Sequence, residues 1–167
     1  LQVDEDINFI SDLAQQTSSS IVVANGKNLN YSGNVFNVGA QMLTLSGAGV
    51  FANTNNLTLN DPASSLKLNG ISEVQKVSIS AELTSGKLEI AENSTIGVLV
   101  HTGSSRIDID NSKVLTLSNA FEIPQGKLME LVGSGGGTLS LNDKLTLKGT
   151  LKVSSSDILK DGTLSLN

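Results

Sequence analysis

A three-residue unit, apolar-x-apolar, recurs along this chain and constrains its fold more than any other feature. Units begin at Leu43, Leu57, Leu66, Val77, Leu88, Val98, Ile107, Leu115, Leu128, Leu139, Leu151 and Leu164, and several of them read Leu-x-Leu. Two weaker units, Phe121-Glu122-Ile123 and Leu145-Thr146-Leu147, sit between them. Alternation of this kind places both apolar side chains on one face of a strand and the middle residue on the other. Strands so short are unstable as isolated hairpins in water and need neighbours on both sides.

Every second unit falls into a series. The first runs Leu43, Leu66, Leu88, Ile107, Leu128 and Leu151; the second runs Leu57, Val77, Val98, Leu115, Leu139 and Leu164. Steps within the two series range from 17 to 25 residues. An interval of about 22 residues therefore holds two strong short strands, with room for a third. Phrases return as well: Gly137-Thr138-Leu139-Ser140-Leu141-Asn142 is repeated as Gly162-Thr163-Leu164-Ser165-Leu166-Asn167.

A coil of this length that stacks on itself buries its Leu side chains in one continuous interior and pairs its backbone along the axis. Turn chemistry agrees. Asn60-Asp61, Asn69-Gly70, Asn119 and Asn142-Asp143 follow the units, and these residue types tolerate the left-handed backbone of sharp corners. The two prolines, Pro62 and Pro124, lie outside the Leu-x-Leu units. The expected fold is all-β: a single-stranded parallel β-helix, right-handed as parallel crossovers are. Leucine-rich repeats require further Leu at fixed offsets that are not found here. In a β-sandwich the two-series register would be accidental.

Residues 4–20 read differently. Ile7, Ile10, Leu13 and Ala14 share a helical face, with Asp4, Glu5 and Asp6 in the first turn. The expected organisation is an N-terminal capping helix over 1–20, closing the core, then β-helix coils over 21–167. With no basic segment and apolar run at the start, and with the chain ending inside a motif at Leu164-Ser165-Leu166-Asn167, an excised piece of a longer protein is expected.

Composition narrows the chemistry. Ser 23, Asn 16, Gly 16 and Thr 12 together make 67 of 167 residues, and 24 are Leu. With no Cys there is no disulfide scaffold, thiol nucleophile or Cys-ligated zinc site. A net charge of -5 argues against nucleic acid or an anionic membrane as partner.

Leu43-Thr44-Leu45-Ser46-Gly47-Ala48-Gly49 and Gly135-Gly136-Gly137-Thr138-Leu139-Ser140-Leu141 resemble the short repeats in passenger domains of bacterial autotransporters. Ile21-Val22-Val23-Ala24-Asn25-Gly26 after a helix resembles the capped entrance of right-handed β-helices, pectin-lyase-like proteins included. The resemblance implies a secreted, surface-displayed bacterial domain of adhesin or stalk type. It does not imply a ligand; the expected partners of such a domain are host or bacterial surface proteins or glycans, with self-association through coil ends or faces as an alternative. An outer-membrane anchor would lie outside this chain.

A β-helix can also be a polysaccharide lyase or hydrolase, or a self-assembling scaffold. The middle residues of the first series are Thr44, Lys67, Glu89, Asp108, Met129 and Lys152, so Lys67, Glu89 and Asp108 are expected to form an outward column with Asp110 beside it. Paired carboxylates cleave glycans, but Lys67 offsetting Glu89 on a solvated face is the preferred reading. Glu89 directly above Asp108 is then a like-charge contact without explanation. Thr58, Ser78, Leu99, Thr116, Ser140 and Ser165, the middles of the second series, form a hydroxyl ladder too sparse for ice binding.

His101 is expected in a surface turn. Gly133-Ser134-Gly135-Gly136-Gly137 lacks the Lys-Ser/Thr ending of a phosphate loop and reads as a coil corner. Tyr31, Phe36, Phe51 and Phe121 are too dispersed to suggest a sugar groove, and Phe9 is placed in the helix. No catalytic, metal-ligating or cofactor-binding residue is assigned, and the expected role is non-enzymatic.

Overall fold

The computed structural model describes residues 1–132, 136–153, 158–160 and 163–166, with side chains described through residue 153. The chain forms a parallel β-solenoid in which each coil contributes to three faces. The first coil holds β1 (Gln2–Val3), β2 (Ile7–Phe9) and β3 (Leu13–Ala14); the second β4 (Ser19–Val23), β5 (Asn28–Tyr31) and β6 (Phe36–Val38). The third holds β7 (Met42–Ser46), β8 (Val50–Asn53) and β9 (Leu57–Leu59). In the next two coils the second and third faces share one long strand each: β10 (Ser65–Asn69) with β11 (Glu73–Ile79), then β12 (Leu88–Ile90) with β13 (Ser94–His101). Three strands per coil return in β14 (Ser105–Ile109), β15 (Val114–Leu117) and β16 (Phe121–Ile123), then β17 (Leu128–Val132), β18 (Thr138–Leu141) and β19 (Lys144–Leu147). The last are β20 (Thr150–Val153), β21 (Ile158–Lys160) and β22 (Thr163–Leu166).

The first face is an eight-stranded parallel sheet, β1-β4-β7-β10-β12-β14-β17-β20. Its register stacks like on like: Ile21, Leu45, Leu68, Ile90 and Ile109 are successive partners, and all are buried. The second face carries an equivalent column of Ile7, Leu29, Phe51, Val74, Ile96, Leu117 and Leu141. The third begins Leu13, Phe36, Leu57, Val77 and Leu99. Each fully buried aliphatic side chain stabilises the fold by about 2 kcal/mol through lost water contact, which is why the apolar-x-apolar unit dominates the sequence.

Where one strand serves two faces, a side chain replaces the missing ladder bonds. Asn53 is fully buried at the end of β8. Its Nδ2 donates to Asn55 O (2.8 Å) and Lys76 O (2.5 Å), and its Oδ1 accepts the Lys76 amide at 3.1 Å. Asn53 thus satisfies the β11 backbone midway between its pairing with β8 and its pairing with β9.

The expected capping helix over 1–20 does not form; β1, β2, β3 and the start of β4 occupy that segment, and no helix occurs among the described residues. Ile10, assigned to the helical face, is 76% exposed, whereas Phe9 packs on the core. A helix this short is marginal by itself, while the extended chain gains pairing with β4, β5 and β6. Two acids of this segment, Asp6 of the expected first turn and Asp12 further on, accept backbone amides of the next coil. Asp6 Oδ1 accepts the Asn28 amide at 2.8 Å, and Asp12 Oδ1 accepts the Asn34 amide at 2.6 Å.

Register corrects the sequence reading at three points. The unit expected to start at Leu128 is Met129-Glu130-Leu131, because Met129 pairs with Ser105 and is fully buried. Leu99, not Val98, is the partner of Val77. The second series mixes faces: Leu57 and Val77 lie on the third, Leu115 and Leu139 on the second. The expected hydroxyl ladder is therefore split into Thr58 beside Ser78 and Thr116 beside Ser140. The two weaker units, at Phe121 and Leu145, are third-face strands paired with each other.

Candidate functional site

On the first face, strand register places Lys67 beside Glu89 and Glu89 beside Asp108, as the sequence implies. The like-charge contact is resolved by a residue outside the expected column. Lys87 precedes Glu89 by two positions and so shares its outward side. Its Nζ donates to Asp108 Oδ2 at 2.6 Å and lies 3.1 Å from Glu89 Oε2. Lys67 Nζ donates to Glu89 Oε1 at 2.5 Å, so cations and carboxylates alternate. Two coils on, Lys152 pairs with Glu130.

Burial by itself would raise the Glu89 pKa, but hydrogen bonds from Lys67 and Lys87 outweigh it and hold the carboxyl below its ordinary value. A glycosidase acid needs the opposite, a carboxyl kept protonated near neutral pH. Asp110 lies just beyond β14, exposed, with its amide donating to Ile90 O at 2.9 Å. The charged column has the chemistry of an ion-pair ladder.

His101 is not in a surface turn. It ends the third-face column Val38, Leu59, Ile79 and His101 and is 4% exposed. Burial pushes its pKa down to about 4; Glu82 opposes that shift and Lys127 adds to it. Its Nε2 lies 2.7 Å from Ser105 Oγ, and its ring stands edge-on to Phe121 with centroids 5.9 Å apart. Ser105 is itself buried, and Nδ1 of His101 has no hydrogen-bond partner, so no carboxylate orients the ring as a catalytic triad requires. Outside the same corner Lys127 donates to Glu82, whose Oε2 accepts the Ser104 amide at 2.7 Å.

Aromatic residues dispersed in sequence converge at the first three coils. Phe9 and Tyr31 are direct register partners and stack at 6.1 Å, and Tyr31 stacks on Phe51 at 6.2 Å. Phe36 closes the group, 5.3 Å from Tyr31 and 5.9 Å from Phe51. The signal was the solenoid period itself: 22 residues separate Phe9 from Tyr31. Tyr31 Oη donates to Val35 O at 2.5 Å, and burial raises the pKa of its phenol.

Beside these rings lies a cavity of about 450 Å³. Buried Leu29, Tyr31, Phe36, Leu43 and Phe51 line its depth, while exposed Leu1, Ala14, Gln16 and Ser20 line its mouth. Gln15 also borders it. Its Nε2 donates to Thr17 O (2.9 Å) and Met42 O (2.6 Å), which fixes the orientation of the amide, and its Oε1 is buried without a partner.

No protein-family model, curated protein or solved structure matches this chain. Three places among the described residues carry candidate chemistry. The ladder is internally neutralised, the His101–Ser105 pair is enclosed, and the aromatic cavity is concave and open to solvent. Among the described residues no group of three His, Asp or Glu side chains is placed to hold a metal ion. Of the Gly-rich stretch weighed as a phosphate loop, residues 133–135 lie outside the described residues. Gly136 takes φ 85, as a coil corner requires.

Proposed function

We propose that this chain is a non-enzymatic structural and interaction domain, a stiff segment of a secreted or surface-displayed bacterial β-helix of the autotransporter-passenger type. It would act as an adhesin or stalk through its outward faces. The observation that carries the reading is the Lys67–Glu89–Lys87–Asp108 ladder. The carboxylates best placed for glycan chemistry are engaged by lysines, and Glu89 is held ionised rather than as an acid. Stacked parallel coils supply stiffness and flat faces that accept variation without loss of the core.

The test is to incubate the purified chain, and Asp108→Ala and Asp110→Ala variants, with a panel of bacterial and host polysaccharides. Binding to immobilised cells or surface glycans is measured alongside. The reading expects saturable surface binding and no release of reducing or unsaturated ends. Cleavage that disappears in either variant would replace it with a polysaccharide lyase or hydrolase.

A further inference from the structure

Strand register reveals a protrusion at the corner where the first face meets the second. Val3 pairs with Val23 and Ile7 with Leu29; between these points the first coil carries three residues, 4–6, and the second five, 24–28. Val22 pairs with Ser46 and Asn28 with Val50; here the second coil carries five, 23–27, and the third three, 47–49. The excess is taken up by a tight turn, Ala24-Asn25-Gly26-Lys27, closed by Lys27 N donating to Ala24 O at 3.0 Å. Asn25 and Gly26 at its tip are exposed. Gly26 holds φ 69, and a Cβ added there meets no atom within 4 Å. Neither the Asn25 side chain nor the Gly26 amide has a hydrogen-bond partner among the described residues. Protruding segments with few backbone bonds lie at the low end of local stability.

We propose that Asn25 is a site of spontaneous deamidation, a covalent modification that needs only water. The Gly26 nitrogen, after loss of its proton, attacks Asn25 Cγ. The Cγ–Nδ2 bond breaks, ammonia leaves, and a cyclic succinimide links the two residues. Water then opens the ring at Cγ to give aspartate, or at the backbone carbonyl carbon to give isoaspartate, in which the chain continues through the former side chain. Nothing is oxidised or reduced; water is consumed and ammonia released. Glycine at position 26 leaves the attacking nitrogen uncrowded and the turn free to reach the ring geometry. Other candidates are held back. Asn69 ends β10 in the ladder with Ser46, and Gly70 bridges to Ser46 as well. After Asn111, the Ser112 amide already donates to Gly136 O at 3.0 Å. Gln125-Gly126 lies in an equivalent turn, closed by Lys127 N on Pro124 O at 3.1 Å, but its longer side chain has to close a larger ring. The product adds a carboxylate to a net charge of -5, at a corner beside Asp4, Glu5 and Asp6 of the first coil. This site is independent of the proposed surface role.

The test incubates the purified chain in mildly alkaline buffer and follows each site by peptide mapping that resolves aspartate from isoaspartate, with Asn25→Asp as the standard for the aspartate form. Conversion at Asn25, with isoaspartate in excess, is expected about 10-fold faster than at Asn69, where a backbone hydrogen bond has to open first. In the urea-unfolded chain the two Asn-Gly sites should convert at equal rates, which makes the difference in the folded chain structural. Gln125 should remain an amide throughout. Gly26→Ala should abolish conversion at Asn25 over the same interval and leave Asn69 unchanged. Two results would overturn the proposal: an Asn25 that converts no faster than Asn69 in the folded chain, or conversion at Asn25 that is undiminished in Gly26→Ala.

Discussion

Lys87 Nζ reaches across one coil to Asp108 Oδ2 at 2.6 Å. That bond makes a column with two adjacent carboxylates stable. Strand register alone sets Glu89 directly against Asp108, and like charges so placed repel. With Lys87 leaning between them, the pair becomes part of an alternating ladder.

Removing the lysine exposes the repulsion. Lys87→Met should destabilise the fold by about 1 kcal/mol, with solvent screening reducing the effect at these half-buried positions. Urea denaturation at low and high salt checks this, because the loss should shrink as salt rises. Adding Glu89→Gln to Lys87→Met should recover part of it.

The charged ladder also shows what the sequence could disclose. Periodicity of apolar-x-apolar units gave the solenoid, its period and the outward position of Lys67, Glu89 and Asp108, because burial forces inward residues to be apolar on every coil. Lys87 was equally visible by alternation, two residues before Glu89. Residues 4–20 misled because Ile7, Ile10 and Leu13 fit a helix, while the deciding term, parallel pairing with β4 to β6, is non-local. His101 departs from the expected surface turn for a similar reason. Its place at the end of the Val38–Leu59–Ile79 column depends on a third face whose register wanders from a fixed period. The aromatic cluster needed that same register to bring Phe9 against Tyr31.

Acid should reveal His101. Its folded pKa of about 4 lies below the ordinary 6.5, so the folded state binds the proton less well than the unfolded chain. The neutral ring therefore contributes fully above pH 6.5, and that contribution is lost as pH falls from 6.5 toward 4. The full gap corresponds to about 3 kcal/mol. Denaturation midpoints measured from pH 7.5 to 4 should fall across this window in the wild type and stay flatter in His101→Leu. Glu82, held at about 2 chiefly by its hydrogen bond from Lys127, loses its contribution only below its ordinary 4.5, which separates the two groups.

Two corner glycines should respond unequally to alanine. Gly26 (φ 69) has open space around an added methyl, whereas at Gly47 (φ 85) the methyl would run into the Val23 carbonyl of the preceding coil. Left-handed backbone costs an L-residue about 1–2 kcal/mol, so Gly26→Ala should lose about that much and Gly47→Ala distinctly more. Urea midpoints of the two variants decide it.

Asn53→Ala should leave the Lys76 amide and carbonyl without the side-chain bonds they now make. A loss of about 2 kcal/mol is expected. Amide hydrogen exchange should accelerate first at Lys76, where β11 passes from the second face to the third.

The claim on which everything else stands is parallel, in-register stacking. Ser20, Thr44, Lys67, Glu89 and Asp108 are successive partners on the first face. Nitroxide labels on Ser20→Cys and Asp108→Cys, in a chain with no native Cys, can be ranged by pulsed electron resonance. Four inter-strand steps of about 4.8 Å predict a narrow distribution centred near 19 Å. A broad distribution, or one centred beyond about 30 Å, would contradict the solenoid.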